Sequence, residues 1–575
     1  MRQTPSQSGF IPIVSKEQTK WITTSVVVVL CLLGGLWIAR DIVESVGKRN
    51  PDRGTASPAR PNNQFDTPNP ASKAVPDHTS RKAPELLELL LSAPNERIVR
   101  FNNDADYKNF LSKLDGKGLR LLGRLGALRA LRVGYDDLED LEGLLDGGDA
   151  MGNYLVAIPV ELPQVDAQPG AAGFGRATLE WLGITGDNSS WGKGVRMAML
   201  DTGVGEHAAF PEGIREIDLI TGDGPPIALH GHGTSVAALL VGNDETSQGI
   251  APSADLLSIR IGDDTGSSNS FLLAEGIVRA VDEGAQIINI SMGSYGDSGL
   301  VRDAVAYANE HQVVIVAAAG NEGLDVPAYP AGYEGVIAVG AVDGNGQHLA
   351  FSNTGENLDL SAPGYEIETA WLDDERTSFS GTSAAAPLVA GTIAATMSEH
   401  DGLPAFNATA LVIENLNAAG APGEDPQFGE GIIDVGRVMS SGTPGIYDLA
   451  LASNWYEPPG EFDVIGSLLI TVENRGTEPM NGQTVEVTIG TDVFPMSVSR
   501  LQPGATQVLT LPVNELTGSE SILINSVLNL RDSQDSKPSN NSLGGRIVLI
   551  SEPPTESPSE PSVVNPGGPG LPEAQ

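Results

Sequence analysis

Four side chains stand in settings that suit chemistry. Ser383 lies in Phe379-Ser-Gly-Thr-Ser-Ala-Ala-Ala-Pro387, a small-residue turn that opens into the Ala-rich run Ala384 to Met397. A hydroxyl in the first turn of a buried helix sits beside orphan backbone N–H groups, which favour developing negative charge. Pro387 is expected in that same turn, where a missing N–H costs nothing. Such a serine is a weak nucleophile unless a base takes its proton. His232, in His232-Gly-Thr-Ser235, can be that base, and Asp201, in Asp201-Thr-Gly203, can hold its imidazole in one tautomer. Asn321, in Ala319-Gly-Asn-Glu-Gly323, can donate its amide to an oxyanion.

Each piece has a plainer alternative. Gly-Thr-Ser is a common helix cap. Asp-Thr-Gly is a turn, or half of an aspartic-protease pair whose only near partner is Gly296-Asp-Ser-Gly-Leu300, and no apolar strand leads into that Asp. The same Gly-Asp-Ser-Gly suggests a chymotrypsin-like site, but alternating strands and helices contradict two β-barrels. His230 and His232 could form a metal pair, yet no third ligand stands nearby at helical spacing. Together the pieces supply orienting carboxylate, base and nucleophile in the order Asp, His, Ser.

The elements that must position them follow from pattern. Apolar strands at 195–200, 255–261, 286–292, 312–318 and 336–342 alternate with helical stretches at 271–283 and 300–310. Continuous apolar strands separated by helices imply a doubly wound parallel sheet covered on both faces, with functional groups at the carboxyl ends of the strands. Upstream, 84–165 reads as β-α-β-β-α-β, a ferredoxin-like split βαβ unit. Its expected parts are strand 97–101, a helix over 104–114 capped by Asp104, two strands around Gly126, a helix over 137–145 and strand 154–160. Downstream, 446–550 alternates with period two (Leu468, Ile470, Val472; then Val485, Val487, Ile489) across a turn at 474–476, with a second turn at 502–504. This predicts an antiparallel β-sandwich.

Residues 21–39 carry no charge, have tryptophans near both ends and are long enough to span a bilayer. Bulky Trp37 and Ile38 before Ala39 argue against a cleaved signal peptide and for an anchor. Residues 1–20 are then a cytoplasmic tail, with the rest of the chain extracytoplasmic (periplasmic or extracellular). Residues 40–83 form a polar, Pro-rich spacer, and 551–575 a Pro-rich tail. With 74 acidic against 34 basic residues, the net charge of −40 excludes nucleic acid as a partner. The one cysteine, Cys31, allows no disulfide within the chain.

These motifs carry a resemblance. Asp201-Thr-Gly, His232-Gly-Thr-Ser, Ser291-Met-Gly293, Ala317-Ala-Ala-Gly-Asn-Glu-Gly323, Ser361-Ala-Pro-Gly364 and Gly381-Thr-Ser-Ala-Ala-Ala-Pro387 make residues 176–441 similar to the subtilase family (subtilisin-like serine proteases, peptidase S8). The resemblance implies a serine endopeptidase acting on protein or peptide substrates through Asp201, His232, Ser383 and Asn321. It also implies that Ser291, Met292 and Gly293 line the peptide cleft, and that Gly320 and Glu322 border the pocket for the side chain before the scissile bond. No cofactor is needed for the chemistry. The segment between His232 and Gly249 is short beside the calcium-loop form of the family, which leaves Asn243, Asp244 and Glu245 as a weak ion site or a solvated loop. By the same resemblance 84–165 is an inhibitory propeptide that makes the chain a zymogen, with Asp166 to Arg176 as the exposed place for a cut. Residues 446–550 resemble a CARDB-type module through Asp448-Leu449, Val472-Glu-Asn-Arg-Gly476, Leu501-Gln-Pro-Gly504 and Ser539-Asn-Asn541. The contrasting expectation is a surface binding or adhesion protein whose catalytic groups are silent.

Overall fold

The computed structural model describes residues 90–159, 170–221 and 230–548, apart from 115–117, 146–147, 245, 401, 460–464, 515–520 and 531–534. The apolar run 21–39, its flanks 1–20 and 40–83, and the tail 551–575 lie outside the described residues. Among the described residues no helix is long and apolar enough to cross a membrane. Two compact units are present, one ending at Leu155 and the other running from Val156, with the short turn Leu125–Leu128 counted in the second.

The first unit has the expected β-α-β-β-α-β order: β1 Ser92–Phe101, α1 Asp104–Lys113, β2 Leu119–Leu125, β3 Ala130–Tyr135, α2 Leu138–Glu142 and β4 Gly148–Ala157. Its strands lie in the order β2-β3-β1-β4, and β1 runs antiparallel to both its neighbours. Val99, Phe101, Phe110, Leu131, Val133 and Leu141 fill the space between sheet and helices. Asn103, not Asp104, caps α1: its backbone is extended and its side chain accepts from the Asp106 amide at 2.9 Å. Asp137 does cap α2, which ends at Glu142 rather than reaching 145. β1 and β4 both begin earlier than apolar pattern alone suggests.

In the second unit the strands are β5 Arg196–Asp201, β6 Arg215–Asp218, β7 Asp255–Arg260, β8 Ser267–Asn269, β9 Ile287–Ile290, β10 Val314–Ala318, β11 Val336–Val342 and β12 Leu360–Pro363. All but β8 form one sheet in the order β12-β11-β10-β9-β5-β7-β6, and every pairing in it is parallel. The helices are α3 Thr178–Trp181, α4 His232–Val241, α5 Ser270–Asp282, α6 Gly299–Glu310, α7 Thr382–Glu399, α8 Ala405–Glu414 and α9 Val435–Ser440. Alternation along β5 shows both faces covered. Met197 and Met199 join the cluster containing α4 and α7, while Leu200 packs so closely on Gly276 of α5 that a Cβ there would lie 2.9 Å from it. From β5 the chain passes to β6 and β7 on one side and later to β9 on the other, so the carboxyl end of β5 borders the switch point where such sheets place their sites. The hairpin β13 Ile367–Ala370 and β14 Arg376–Phe379 leads into α7.

Pro387 is not in the first turn of α7. With Thr382 as the first residue, it falls in the second turn, where its missing N–H leaves the Ser383 carbonyl without its helical partner.

The C-terminal part packs a three-stranded sheet, β15-β16-β19, against a four-stranded one, β18-β17-β20-β21. The strands are β15 Leu449–Glu457, β16 Ile465–Asn474, β17 Gln483–Ile489, β18 Asp492–Val498, β19 Thr506–Asn514, β20 Ser521–Asn529 and β21 Ser542–Val548. Leu468, Ile470 and Val472 face Val485, Val487 and Leu528 in one core. The turn at 474–476 is therefore not a hairpin. β16 and β17 belong to different sheets, and Asn474 ties the crossing together by donating Nδ2 to Glu478 O at 2.9 Å and to Leu501 O at 3.0 Å. This sandwich is joined to the α/β core through a buried charge cluster. Glu473 on β16 pairs with Arg437 on α9 and with Arg475, and it also accepts from the Ala418 amide at 3.0 Å.

Candidate active site

Asp201 is the last residue of β5 and His232 the first of α4. Both are buried, and Asp201 Oδ1 lies 2.8 Å from His232 Nδ1. The same oxygen accepts from the Thr202 amide at 2.8 Å and from Thr202 Oγ1 at 3.2 Å. Helix α4 can come this close only because position 233 is glycine: a Cβ there would lie 2.2 Å from Gly203 O and 3.2 Å from Asp201 Oδ1. Phe379 stands edge-on to the imidazole, ring centroids 5.3 Å apart. Nε2 of His232 is buried with no hydrogen-bond partner.

Ser383 is the second residue of α7, so its amide is among the orphan donors of that helix. Its hydroxyl donates to Ser291 O at 3.2 Å, and Ser291 Oγ donates to Ser383 O at 3.2 Å. Asn289 Nδ2 in turn donates to Ser291 Oγ at 3.2 Å.

Asn321 follows β10. Its Oδ1 accepts from Thr382 N and from Thr382 Oγ1, each at 2.9 Å, which leaves Nδ2 as the free end of the amide. Gly381 has φ +129, and a Cβ on it would lie 2.7 Å from Asn321 Nδ2. The asparagine thus reaches across from the β10 end to the start of α7.

Segment 291–293 offers an open strand edge. Ala157 N–H donates to Gly293 O at 3.0 Å, Gly293 N–H donates to Ala157 O at 2.9 Å, and Ile158 N–H donates to Gly266 O at 3.0 Å. An extended chain therefore lies antiparallel on this edge. Met292 is fully buried and its side chain turns toward Gly262, so it offers the edge only its backbone. Gly320 (φ +107) and Glu322 sit opposite, and Glu322 accepts from the Asn321 amide at 2.8 Å and from the Tyr295 hydroxyl.

Other sequence expectations resolve differently. His230 Nδ1 accepts from the His232 amide at 3.3 Å, so the two histidines do not aim at a common ion. Asp297 of Gly-Asp-Ser-Gly pairs with Arg302, and Ser298 stands just before α6 without a side-chain capping bond. Asp244 spends one oxygen on the amides of Thr246 and Ser247 and on the Thr246 hydroxyl. Glu245 lies outside the described residues, and among the described residues no three His, Cys, Asp or Glu side chains are grouped to hold a metal. Within 166–176 only 170–176 is described, and that part is not a free loop. Ala172 N donates to Asp343 at 2.9 Å, Phe174 N to Tyr365 O at 3.0 Å and Gly175 N to Glu366 O at 2.8 Å, with the Phe174 ring buried.

Sequence reasoning missed Thr202, Thr382, Phe379, Tyr295 and Asn353 at this site. Their signals were weak because each acts by holding a functional group, through a residue type common in any loop. Glu216 was also missed. It steadies the Asp201 turn by accepting from Val204 N at 2.8 Å, and burial pushes its carboxyl above the usual range.

Comparison with known proteins agrees with the geometry. A family model described as the subtilase family matches residues 192–431. The thermostable alkaline protease of Halalkalibacterium halodurans is 35% identical over 249 residues, covering 43% of this chain and 68% of the relative. Subtilisin DY of Bacillus licheniformis is 32% identical over 250 residues, covering 42% and 90%. Thermitase of Thermoactinomyces vulgaris is 39% identical over 206 residues, covering 35% and 74%.

Proposed function

The chain belongs to the subtilase family of serine endopeptidases, and from that premise we propose that Ser383 is its nucleophile, His232 its base, Asp201 the orienting carboxylate and Asn321 an oxyanion donor. The observation that carries the assignment is the buried 2.8 Å contact between Asp201 Oδ1 and His232 Nδ1. That contact fixes the proton on Nδ1 and leaves Nε2 basic. A buried Nε2 without a partner is costly, and in this reading the Ser383 hydroxyl supplies one by turning away from Ser291 O.

The steps follow. An extended peptide pairs with the edge at Gly293, as Ala157 does. Ser383 Oγ attacks the carbonyl carbon as its proton passes to Nε2 of His232. The tetrahedral oxyanion takes hydrogen bonds from Asn321 Nδ2 and the Ser383 amide. Collapse expels the amine, which takes the proton from His232 and leaves an ester on Ser383. Water, deprotonated by the same nitrogen, then hydrolyses that ester.

The chain is further proposed to be a zymogen held at a membrane by 21–39, with its catalytic part extracytoplasmic and residues up to 165 as its own inhibitor. Ala157 supports this, since it pairs with Gly293 in the manner proposed here for a substrate. Because 171–176 is tied down, the cut belongs upstream of it, between 159 and 170. Expression of residues 84–575 tests both readings. The wild type gains a new N-terminus in that interval and reacts with a fluorophosphonate, whereas Ser383→Ala stays full length and unlabelled. Labelling that persists in Ser383→Ala removes the nucleophile assignment. A full-length wild type that still labels removes the zymogen alone.

A further inference from the structure

The cleft edge formed by 291–293 and the loop 319–323 leave the carboxyl ends of adjacent strands, β9 and β10. Tyr295 reaches from the first of these loops to the second. Its hydroxyl donates to Glu322 Oε2, and Asn353 Nδ2 donates to the Tyr295 hydroxyl at 2.7 Å and to Ala319 O at 2.9 Å. Asn353 is fully buried, and its Oδ1 accepts from the amides of Glu322 at 3.2 Å and Leu324 at 2.9 Å. All three side chains converge under Gly320: a Cβ there would lie 2.3 Å from Asn353 Nδ2, 2.8 Å from Glu322 Oε2 and 3.1 Å from the Tyr295 oxygen.

Resting on the peptidase reading above, we propose that Tyr295 sets side-chain preference: it crosses the slot between the two loops and turns the Glu322 carboxylate inward, so that the site takes small and medium uncharged residues before the scissile bond and gains nothing from basic ones. Oε2 of the carboxylate already accepts from Tyr295 and from the Asn321 amide, which offsets part of its charge within the wall. A substrate lysine or arginine therefore competes with these donors for it. Because Tyr295 spans from one loop to the other, it narrows the slot against a large aromatic side chain.

Fluorogenic peptides that differ only in the residue before the cut test this, using the processed enzyme. Wild type prefers Ala and Leu over Lys, Arg and Phe. Tyr295→Phe frees the carboxylate and raises kcat/KM for Lys relative to Ala about tenfold, and adding Glu322→Gln reverses that gain. Tyr295→Ala also raises Phe relative to Ala about tenfold. Glu322→Gln alone, which keeps the tyrosine, leaves the Lys to Ala ratio within about twofold. A ratio unmoved in both Tyr295 variants, or a large drop in the Lys ratio in Glu322→Gln alone, overturns the inference. A wild type that neither labels with fluorophosphonate nor cleaves any peptide overturns the reading beneath it instead.

Discussion

Ser291 and Ser383 each donate a hydroxyl to the carbonyl of the other, both at 3.2 Å. One half of this exchange follows from Pro387. That proline has no N–H for the carbonyl four residues before it, and Ser291 Oγ fills the vacancy. Segment 291–293 and helix α7 are thereby locked in register. In the proposed mechanism the other half is conditional, since the Ser383 hydroxyl leaves Ser291 O to meet His232.

Ser291→Ala strips the acceptor at 383 of its donor and is expected to cost about 1–2 kcal/mol of stability. In a Pro387→Ala background the new amide serves the same carbonyl, and the cost of Ser291→Ala falls by about 1 kcal/mol. Urea midpoints on fluorophosphonate-blocked enzyme measure the coupling. Equal costs in the two backgrounds would refute it.

Asn321→Ala is expected to lower kcat by about 10²–10³ with little change in KM, a range that comes from a subtilisin. The split between kcat and KM is the diagnostic, because a proposed oxyanion donor meets the substrate oxygen only when it carries charge. A matching rise in KM would assign Asn321 to ground-state binding.

Burial, with the charges of Glu430 and Glu424 nearby, pushes the Asp359 carboxyl from 3.8 up to about 6. Between those values the folded chain keeps a proton that the unfolded chain releases, so this group's contribution falls as pH rises through about 4 to 6. Asp359→Asn retains an acceptor for the Ala338 amide, now 2.7 Å away, without the charge. It should stabilise the protein by about 1–3 kcal/mol at pH 8 and do little at pH 4. Thermal melts at the two pH values decide; a gain of equal size at both would exclude the ionisation.

Glu473→Gln removes the counter-charge of buried Arg437, and about 3–5 kcal/mol of stability is expected to go with it. The double change Arg437→Met, Glu473→Leu should recover part of that, because it removes the Arg437 charge but leaves Arg475 and the Ala418 amide without their partner. If the double variant is as unstable as the single one, packing rather than charge holds the junction.

Much of the catalytic half could be read from the chain because its strands are buried on both faces. β11 begins and ends where its apolar run does, and Asp201, His232 and Asn321 stand at strand or helix ends next to turn glycines. What escaped had no such pattern. β6, Arg215–Asp218, is a polar edge strand, and β12 begins only one residue before the Ser361-Ala-Pro motif. Asn103 outcompeted Asp104 because a cap must be extended, and Asp104 is already helical. The change of sheet across the 474–476 turn was not legible, because alternation reports which side of a strand is buried and not which sheet it joins. Tyr295 and Asn353 carry no local signal, since their meaning lies in a contact across two loops.

The junction at Glu473 has a consequence for the order of events during synthesis. Arg437 leaves the ribosome before its counter-charge does, so a nascent chain whose α/β core is already complete still carries a guanidinium with nothing to neutralise it. Until β16 docks, that cation has only the Leu416 carbonyl and the Asn417 side chain as partners, neither of them charged. Charge balance at α9 thus waits for a strand of the sandwich.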